Sequence, residues 1–355
     1  KDIQFVAGAD TIRNGYPGYV AAATFSQALG WTGARVASCY GACASGAQAV
    51  DVAHGLGDWY DLGPKFPGEA QLTPKAVTAT SIWYYDAVLL SEMAGITGNT
   101  EDREYYKKLA ENIRNAFNNK FFDPVKKVYS TGSQTAFSMP LYFGMVDTLY
   151  RKEVTENLVK SIMDNNRALT AGDIGYRYLL RVLEQEGYSQ LIYEMNSRSD
   201  VPGYGYQLSK GATSLTESWA ALREVSNNHM MLGHIMEWFY SGLGGIRQMP
   251  DSKAYENILI CPEPAGGIDW AETTYNSIRG EIHTSWRISE NSLLLKVRIP
   301  PGCRATISLL GTDPGRITGN DRSISGSDYI KVKGIQKGRT FCEVSSGEYT
   351  FKTVL

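Results

Sequence analysis

Apolar residues recur at every third or fourth position through most of residues 74–196, which is the spacing of amphipathic helices. In the stretch TEDREYYKKLAENIRNAFNNK, for example, Tyr106, Ile113 and Phe117 form one apolar stripe among charged residues. Glycine, proline and asparagine separate such stretches and mark the ends of helices. The pattern predicts helices over residues 74–98, 100–120, 133–149, 151–166, 173–186 and 188–196.

Residues 203–240 combine turn-forming residues with an apolar stretch that predicts a further helix, carrying both His229 and His234. Successive helices joined by short loops are typical of helix pairs packed around a central axis. We therefore predict an (α/α) barrel. The loops at one end of the barrel are expected to share one mouth, formed by residues 55–63, 130–134, 170–175 and 203–219.

Beyond residue 250 apolar and polar residues alternate between Gly, Pro and Asp turns, which is the pattern of half-buried strands in an antiparallel sandwich. Strands are predicted at residues 257–261, 276–288, 292–299, 304–310, 328–332 and 347–354. The fold class is thus mainly α, an incomplete (α/α) barrel followed by a C-terminal antiparallel β-sandwich. The predicted domains are residues 1–53, 54–250 and 251–355.

The composition narrows the class of partner. The net charge is −2 and the hydrophobic fraction is 43%, so the chain can fill a core but has no bulk attraction for polyanions. Nucleic acid and anionic membranes are therefore not expected as partners. No apolar stretch approaches the roughly 20 residues that span a bilayer. The 22 tyrosines and 7 tryptophans favour a neutral, polyhydroxylated ligand bound through ring faces and phenol hydroxyls.

The cysteines and histidines do not indicate a metal or a disulfide framework. The five cysteines are odd in number and show no paired ligand spacing, and the four histidines are scattered. We therefore expect neither a metal site nor a cofactor. The chain begins with Lys-Asp-Ile-Gln rather than a signal peptide, although a periplasmic or secreted protein whose export signal has been removed remains the favoured expectation.

Two short motifs carry candidate chemistry. In GATSLTESW a carboxylate, Glu217, stands two residues before Trp219, and a carboxylate beside an aromatic ring is suited to sugar chemistry. The alternative is structural, because Ser214 followed by Glu217 three residues later matches a helix capping box. In GLGDWYDLG, Asp58 and Trp59 lie between glycines, which favours a ligand-facing loop.

The first 53 residues are rich in Gly, Ala and Ser and place Cys43 before a small-residue stretch. This segment resembles the nucleophile region of thiolase-like lipid-transfer enzymes, and a thiol at a helix start has a lowered pKa. The histidine and second cysteine of such sites have no counterpart downstream, so a structural role is the favoured interpretation of Cys43. An acyl-CoA or lipid-transfer enzyme built on this thiol stays an alternative function.

From residue 55 onward the chain resembles the α-L-rhamnosidases of glycoside hydrolase family 78. The stretches that carry the resemblance are GLGDWYDLG, TAGDIGYRYLL, GYGYQLSKGATSLTESW, NNHMMLGHIMEWFYSGLGGI, YNSIRGEIHTSWRIS and VRIPPGCRATISLLG. The resemblance implies an (α/α)6 barrel, a β-sandwich, and hydrolysis of terminal α-L-rhamnosides with inversion. The expected partner is a rhamnose-containing oligosaccharide or glycoside.

The resemblance also implies roles for individual residues. Glu217 falls on the family's general base, and His229 on a histidine near the sugar hydroxyls. Asp58 and Trp59 fall on the loop at the barrel mouth, as hydroxyl acceptor and stacking face, and Trp219 would supply a further aromatic face.

The chain departs from the family at the general acid. The only similar string, QALGWTGA, has Gln27 where the acid would stand and Ala34 where an aspartate would stand, and it lies too close to the GDW loop. Part of the barrel is also missing from the pattern. A non-catalytic rhamnose-binding protein is therefore a third alternative.

Overall fold

The computed structural model describes residues 5–10, 35–40, 57–250 and 252–355. The first two ranges are strands β1 (Phe5–Asp10) and β2 (Arg35–Tyr40), whose backbones pair in parallel from Phe5 opposite Arg35 to Asp10 opposite Tyr40. The predictions made for Gln27, Ala34 and Cys43 lie outside the described residues.

The chain divides into two compact units. The first, here the helical unit, comprises Lys1–Val182 and Met195–Gly233, and the second, here the β unit, comprises Leu183–Glu194 and His234–Leu355.

The helices follow the predicted stripes closely. They are α1 (Lys75–Thr97), α2 (Thr100–Phe121), α3 (Gln134–Tyr142), α4 (Arg151–Asp164), α5 (Gly175–Gln185), α6 (Ser189–Ser197), α7 (Tyr204–Ser209) and α8 (Ile235–Trp238). A short hairpin of strands β3 (Phe122–Asp123) and β4 (Val128–Tyr129) follows α2.

The hairpin of α1 and α2 shows how local sequence sets these boundaries. Gly98 ends α1 in the left-handed region at φ 78°, a conformation that glycine adopts at low cost. The side chain of Asn99 then caps α2 by accepting a hydrogen bond from the backbone N–H of Asp102, at 3.2 Å. Ala87, Ala110 and other small or apolar residues pack between the two helices.

Two predicted helices differ from the structure. Helix α3 ends at Tyr142 rather than at residue 149, because Gly144 adopts φ 72° and the chain turns there. The helix predicted to carry His229 and His234 is a loop up to residue 234, followed by the single turn α8 and a π-helical turn, Phe239–Leu243.

The strands of the β unit are β5 (Ile246–Gln248), β6 (Asn257–Ile260), β7 (Trp270–Ser277), β8 (Gly280–Ser289), β9 (Ser292–Ile299), β10 (Arg304–Leu310), β11 (Ile317–Gly319), β12 (Arg322–Ser323), β13 (Lys331–Gln336), β14 (Arg339–Val344) and β15 (Gly347–Val354). They form a five-stranded sheet in the order β13-β14-β10-β6-β5 and a six-stranded sheet in the order β12-β11-β15-β9-β8-β7. Apolar side chains of both sheets, including Ile260, Trp286, Ile307 and Phe351, form one buried core.

The predicted β domain is confirmed, with two differences in detail. Residues 276–288, predicted as one strand, instead contain the end of β7, a turn and most of β8. The two strands form an antiparallel hairpin in which Ser277 lies opposite Gly280. The pairing of β6 with β10 is parallel, whereas every other described pair of the two sheets is antiparallel.

Candidate active site

Four loops of the helical unit meet through hydrogen bonds that fix them to one another. Asp58 lies at their centre and is fully buried. Its carboxylate accepts bonds from Thr135 Oγ1 at 2.5 Å, from the N–H of Gly172 at 2.8 Å and from the N–H of Gly175 at 2.7 Å. These bonds join residues 57–63, 130–135 and 170–175, and Trp219 Nε1 adds a bond to the carbonyl of Ala171. We refer to residues 57–63, 130–135, 170–175 and 203–219 as the loop cluster; the barrel mouth that they were expected to form stays a prediction.

The glycines of this cluster permit backbone approaches that a side chain would block. A Cβ atom on Gly172 would lie 2.1 Å from the carbonyl oxygen of Trp59, and one on Gly175 would lie 1.8 Å from Thr135 Oγ1. Real Cβ atoms do not approach other atoms so closely. The glycines of the sequence TAGDIG, residues 170–175, thus allow residues 172–175 to pack directly against the GDW loop and Thr135.

Two further side chains secure the cluster. Asp61 accepts the backbone N–H groups of Gln71, Leu72 and Thr73, at 2.8, 2.8 and 3.1 Å. Gln134 donates to the carbonyl of Ala168 at 2.8 Å, and its amide oxygen accepts the N–H groups of the two residues that follow Leu169. Buried backbone groups are thereby satisfied by side chains where the loops have no regular ladder.

Trp219 packs in the interior of the helical unit and bonds to the loop cluster. Its indole is fully buried, donates from Nε1 to the carbonyl of Ala171 at 2.9 Å, and meets the rings of Tyr176 and Tyr204 edge to face, at 4.8 and 5.2 Å between centroids. Such packing contributes on the order of 1 kcal/mol per aromatic pair beyond burial. Because the ring faces are covered, this tryptophan holds the Glu217 segment in place and presents no open face.

Glu217 is partly exposed and lies in a loop that doubles back on itself. Its N–H donates to the carbonyl of Ser226 at 2.9 Å, and the N–H of Ser226 lies 3.3 Å from Glu217 Oε2. The N–H of His229 donates to the carbonyl of Leu215 at 2.8 Å. These backbone pairs bring Glu217 and His229 onto neighbouring segments.

The capping-box interpretation of Glu217 is wrong. No helix begins after Ser214, and the hydroxyl of Ser214 donates instead to Asn228 Oδ1 at 3.0 Å. The carboxylate of Glu217 therefore has no structural duty at a helix N-terminus.

Asp173 is the site residue that the sequence analysis missed. It is 3% exposed, and neither carboxyl oxygen has a hydrogen-bond partner among the described residues. Burial raises its pKa well above the ordinary value, and the charges of Asp58 and Glu217 raise it further. An acid immediately before a helix looks like an ordinary first-turn residue in sequence, so only its burial reveals it.

The electrostatic couplings define which groups share the site. Burial raises the pKa of the Tyr60 phenol, and the charges of Glu217 and Asp173 add to that effect. Burial also raises the pKa of Asp58 to about 6, against the lowering effect of its Thr135 bond. Tyr60 adopts φ 61°, a strained conformation for a residue with a side chain, which is the kind of strain found at functional sites.

The predicted site residues thus fall into two layers. Glu217, Trp59 and His229 are partly exposed, and Trp59 meets Tyr60 edge to face at 5.4 Å. Asp58 and Trp219 are completely buried, which places them beneath the site, where they hold its loops.

Among residues 57–250 and 252–355, no group of three or more His, Cys, Asp or Glu side chains is arranged to hold a metal ion. Within the same ranges, no helix is both long enough and apolar enough to cross a membrane.

Helical hairpins whose loops gather carboxylates and aromatic rings, followed by a β unit, define the class of six-hairpin glycosidases. Residues 40–243 match the bacterial alpha-L-rhamnosidase 6 hairpin glycosidase domain, and residues 245–323 match the bacterial alpha-L-rhamnosidase C-terminal domain. The chain belongs to the bacterial α-L-rhamnosidases of glycoside hydrolase family 78, as the resemblance implied.

Curated relatives and solved structures agree with this assignment. An alpha-L-rhamnosidase of Formosa agariphila is 25% identical over 304 residues, covering 83% of this chain and 33% of the relative. One of Streptomyces avermitilis is 28% identical over 308 residues, covering 84% of this chain and 28% of the relative.

Two solved structures of such enzymes superpose well. That of the Streptomyces avermitilis alpha-L-rhamnosidase complexed with L-rhamnose gives a TM-score of 0.75 at 26% identity, over 85% of this chain and 28% of the other. That of the alpha-L-rhamnosidase from Dictyoglumus thermophilum gives 0.76 at 27% identity, over 84% and 34%. The chain therefore spans about a third of the length of these relatives.

Proposed function

We propose that this chain carries the sugar-binding and water-activating part of an α-L-rhamnosidase, which releases terminal α-L-rhamnose from glycans or glycosides with inversion. The observation that carries the proposal is the position of Glu217, a partly exposed carboxylate coupled to Tyr60 and Asp173 at the loop cluster. The similar Streptomyces avermitilis enzyme, solved with L-rhamnose, supports a sugar ligand.

In the proposed reaction Glu217 is the general base. It removes a proton from a water molecule on the face of the sugar opposite the leaving group. The water oxygen bonds to the anomeric carbon as the bond to the glycosidic oxygen breaks, and the departing oxygen takes up a proton from solvent water. Inverting pairs of carboxyl groups are roughly 6.5–9.5 Å apart, which leaves room for that water.

The other partly exposed residues are proposed to orient the sugar. Trp59 offers a ring for stacking beside the cluster, and the Nδ1 atom of His229, buried and without a hydrogen-bond partner among the described residues, suits a sugar hydroxyl. Asp58, whose oxygens are occupied by Thr135, Gly172 and Gly175, is proposed to act indirectly by holding the loops.

The thioester alternative is not part of the proposal, because the family match begins at residue 40 and so includes Cys43.

The non-catalytic alternative shares the sugar-binding part of the proposal and differs from it only in lacking the chemical step. Its basis is the string QALGWTGA, in which Gln27 stands where the family has its acid.

The test is hydrolysis of 4-nitrophenyl α-L-rhamnoside, whose phenolate departs with little need of a proton donor. We compare the full chain with Glu217→Gln and with Glu224→Gln, which removes an exposed carboxylate from the same loop. The proposal expects Glu217→Gln to lose activity by about 10²- to 10⁴-fold, the usual contribution of a general base, while Glu224→Gln keeps it.

The stereochemistry of the product tests the mechanism separately. Proton NMR during turnover should detect β-L-rhamnose first, because inversion of an α-glycoside gives the β anomer. Initial release of the α anomer would contradict inversion. Sugar binding by calorimetry without any turnover would favour the non-catalytic alternative, and absence of binding would exclude both.

A further inference from the structure

Asp173 differs from the other acids of the loop cluster in what surrounds its oxygens. Asp58 and Asp61 each accept three hydrogen bonds from the protein. Asp173 is almost as deeply buried, at 3% exposure, yet among the described residues both of its oxygens are without a partner. A buried polar group left unsatisfied costs about 1–3 kcal/mol, so this arrangement calls for a function.

The position of Asp173 is fixed by its backbone. Its N–H donates to the carbonyl of Trp59 at 2.8 Å, which ties it to the residue proposed to stack on the sugar. Gly172 on one side packs against that same carbonyl and donates to Asp58. Helix α5 begins two residues later, so the backbone of Asp173 is held on both sides.

The surroundings also limit what the ligand of Asp173 can be. Among the residues that the structure describes, the charged groups that act on it are the carboxylates of Asp58 and Glu217, and none of them is a cation. The described side chains form no metal-binding group. Deep burial, and then the charges of Asp58 and Glu217, raise the pKa of Asp173 and so favour its protonated form. A neutral carboxylic acid can donate from its O–H and accept at its carbonyl oxygen.

We propose that Asp173 is a specificity-determining residue whose buried, unpartnered carboxyl group donates a hydrogen bond to one hydroxyl of the sugar and accepts one from another. The inference rests on the proposed function, since it takes the ligand to be the sugar that Glu217 acts on. It adds to that function a buried contact that recognises a vicinal pair of hydroxyl groups. Sugars and analogues without such a pair would leave Asp173 unsatisfied and be rejected.

The test is calorimetric titration of the full chain with L-rhamnose at pH 5, comparing wild type with Asp173→Asn and Asp173→Leu. Asn keeps one donor and one acceptor in nearly the same shape, so its affinity should stay within a few-fold of wild type. Leu removes both hydrogen bonds and should weaken binding about 10- to 100-fold, the equivalent of one or two unmade hydrogen bonds.

The pH profile gives a readout that a merely structural residue would not change. It is measured in a Glu217→Gln background, which removes the titration of Glu217, while Asp58 and Tyr60 remain in every variant. With Asp173 present, the affinity should fall as the pH rises, because the carboxylate can no longer donate. With Asp173→Asn, that part of the pH dependence should disappear, and this result stands even if the Leu variant does not fold.

Two failures are distinguishable. The inference is overturned, while the proposed function stands, if wild type binds L-rhamnose, Asp173→Leu binds it with the same affinity, and Asp173→Asn leaves the pH dependence of the affinity unchanged. If wild type binds no L-rhamnose under any of these conditions, the proposed function fails and the inference fails with it.

Discussion

The two units of the molecule bury acidic side chains in opposite ways. In the β unit, Arg247 lies between Glu184 and Glu263, with N–O distances of 3.1 and 2.5 Å. Burial lowers the pKa of Arg247, but the two carboxylates outweigh it and raise the pKa overall. In the helical unit, burial and the charges of Asp58 and Glu217 raise the pKa of Asp173, and no cation of the described residues is among the groups that shift it.

This difference between the two units distinguishes acids that stabilise the fold from acids that are candidates for binding a ligand. A buried charge is tolerated when a partner compensates it, and the arginine of the β unit does so within the protein. Glu263 also accepts the hydroxyl of Ser189, which in turn accepts Trp238 Nε1 at 3.0 Å. In that network both acids have a cation as their partner within the protein. In the loop cluster, Asp173 has neither a cation nor a hydrogen-bond partner for its carboxyl oxygens among the described residues, and perturbed carboxyl groups of this kind are typical of active sites.

The largest effect should come from breaking the compensated network. Arg247→Met leaves Glu184 buried at 1% side-chain exposure without its cation. We expect the free energy of unfolding to fall by about 3–5 kcal/mol in urea titrations. Arg298→Met, which removes an exposed arginine paired with Glu281 and Glu348, is the control and should change stability far less. Equal effects would mean that burial of the Arg247 network is unimportant.

The acids of the loop cluster should instead make the free energy of unfolding depend on pH. Asp58 has a folded-state pKa raised from 3.8 to about 6, so the folded protein holds a proton that the unfolded chain has lost. Stability should therefore fall as pH rises from about 4 to 6, by on the order of 3 kcal/mol from this group. Asp173, whose pKa is also raised, should extend the fall to higher pH.

Unfolding curves at closely spaced pH values check this, with Asp173→Asn as the comparison. The variant should lose the part of the fall that extends to higher pH, because an amide does not titrate. Stability that rises through this interval would contradict the raised pKa values of both acids.

A smaller effect is expected from a change that leaves every charge in place. Gly172→Ala adds a Cβ that would lie 2.1 Å from the Trp59 carbonyl, so the GDW loop must shift. We expect a loss of about 1–3 kcal/mol, as for other overpacked sites, together with loss of sugar binding. Gly68→Ala is the matched control, because nothing lies within 4 Å of its Cβ position. Thermal unfolding measures the stability of the two variants and calorimetry measures their binding of L-rhamnose. Equal results for Gly172→Ala and Gly68→Ala would contradict the prediction.

The smallest effect should come from an exposed ion pair of the helical unit. Lys160 and Asp164 pair one turn apart on α4, with side chains 70% and 63% exposed. Lys160→Ala should change the free energy of unfolding by no more than about 0.5 kcal/mol, because solvent screens such pairs. A loss comparable to that of Arg247→Met would remove the distinction between buried and exposed charges.

Much of the fold could be predicted from local patterns. The stripe of Tyr106, Ile113 and Phe117 marks α2, and alternation marks β9 and β10, because helices and strands bury one side of a periodic surface. The loop from residue 210 to residue 234 could not be predicted in this way. Its shape depends on pairing of Leu215 with His229 and of Glu217 with Ser226, and the apolar residues around His229 suggested a helix instead.

The candidate site shows the same limit. Glu217 and Trp59 could be singled out because acids and aromatic rings among turn residues favour ligand contact. The burial of Trp219 and Asp58 could not, because it depends on Tyr176, Tyr204 and other distant residues. Asp173 was missed for a related reason: its isolation from partners is a property of three loops together and leaves no mark on the sequence around it.

The measurement that tests the central claim most directly is a crystal structure of the Glu217→Gln variant with L-rhamnose. The account predicts the sugar at the loop cluster, with position 217 facing the anomeric carbon, the ring of Trp59 against the sugar and the carboxyl group of Asp173 within hydrogen-bond distance of its hydroxyls. L-rhamnose bound elsewhere on the chain, or bound at the cluster with Asp173 still without a partner, would contradict it.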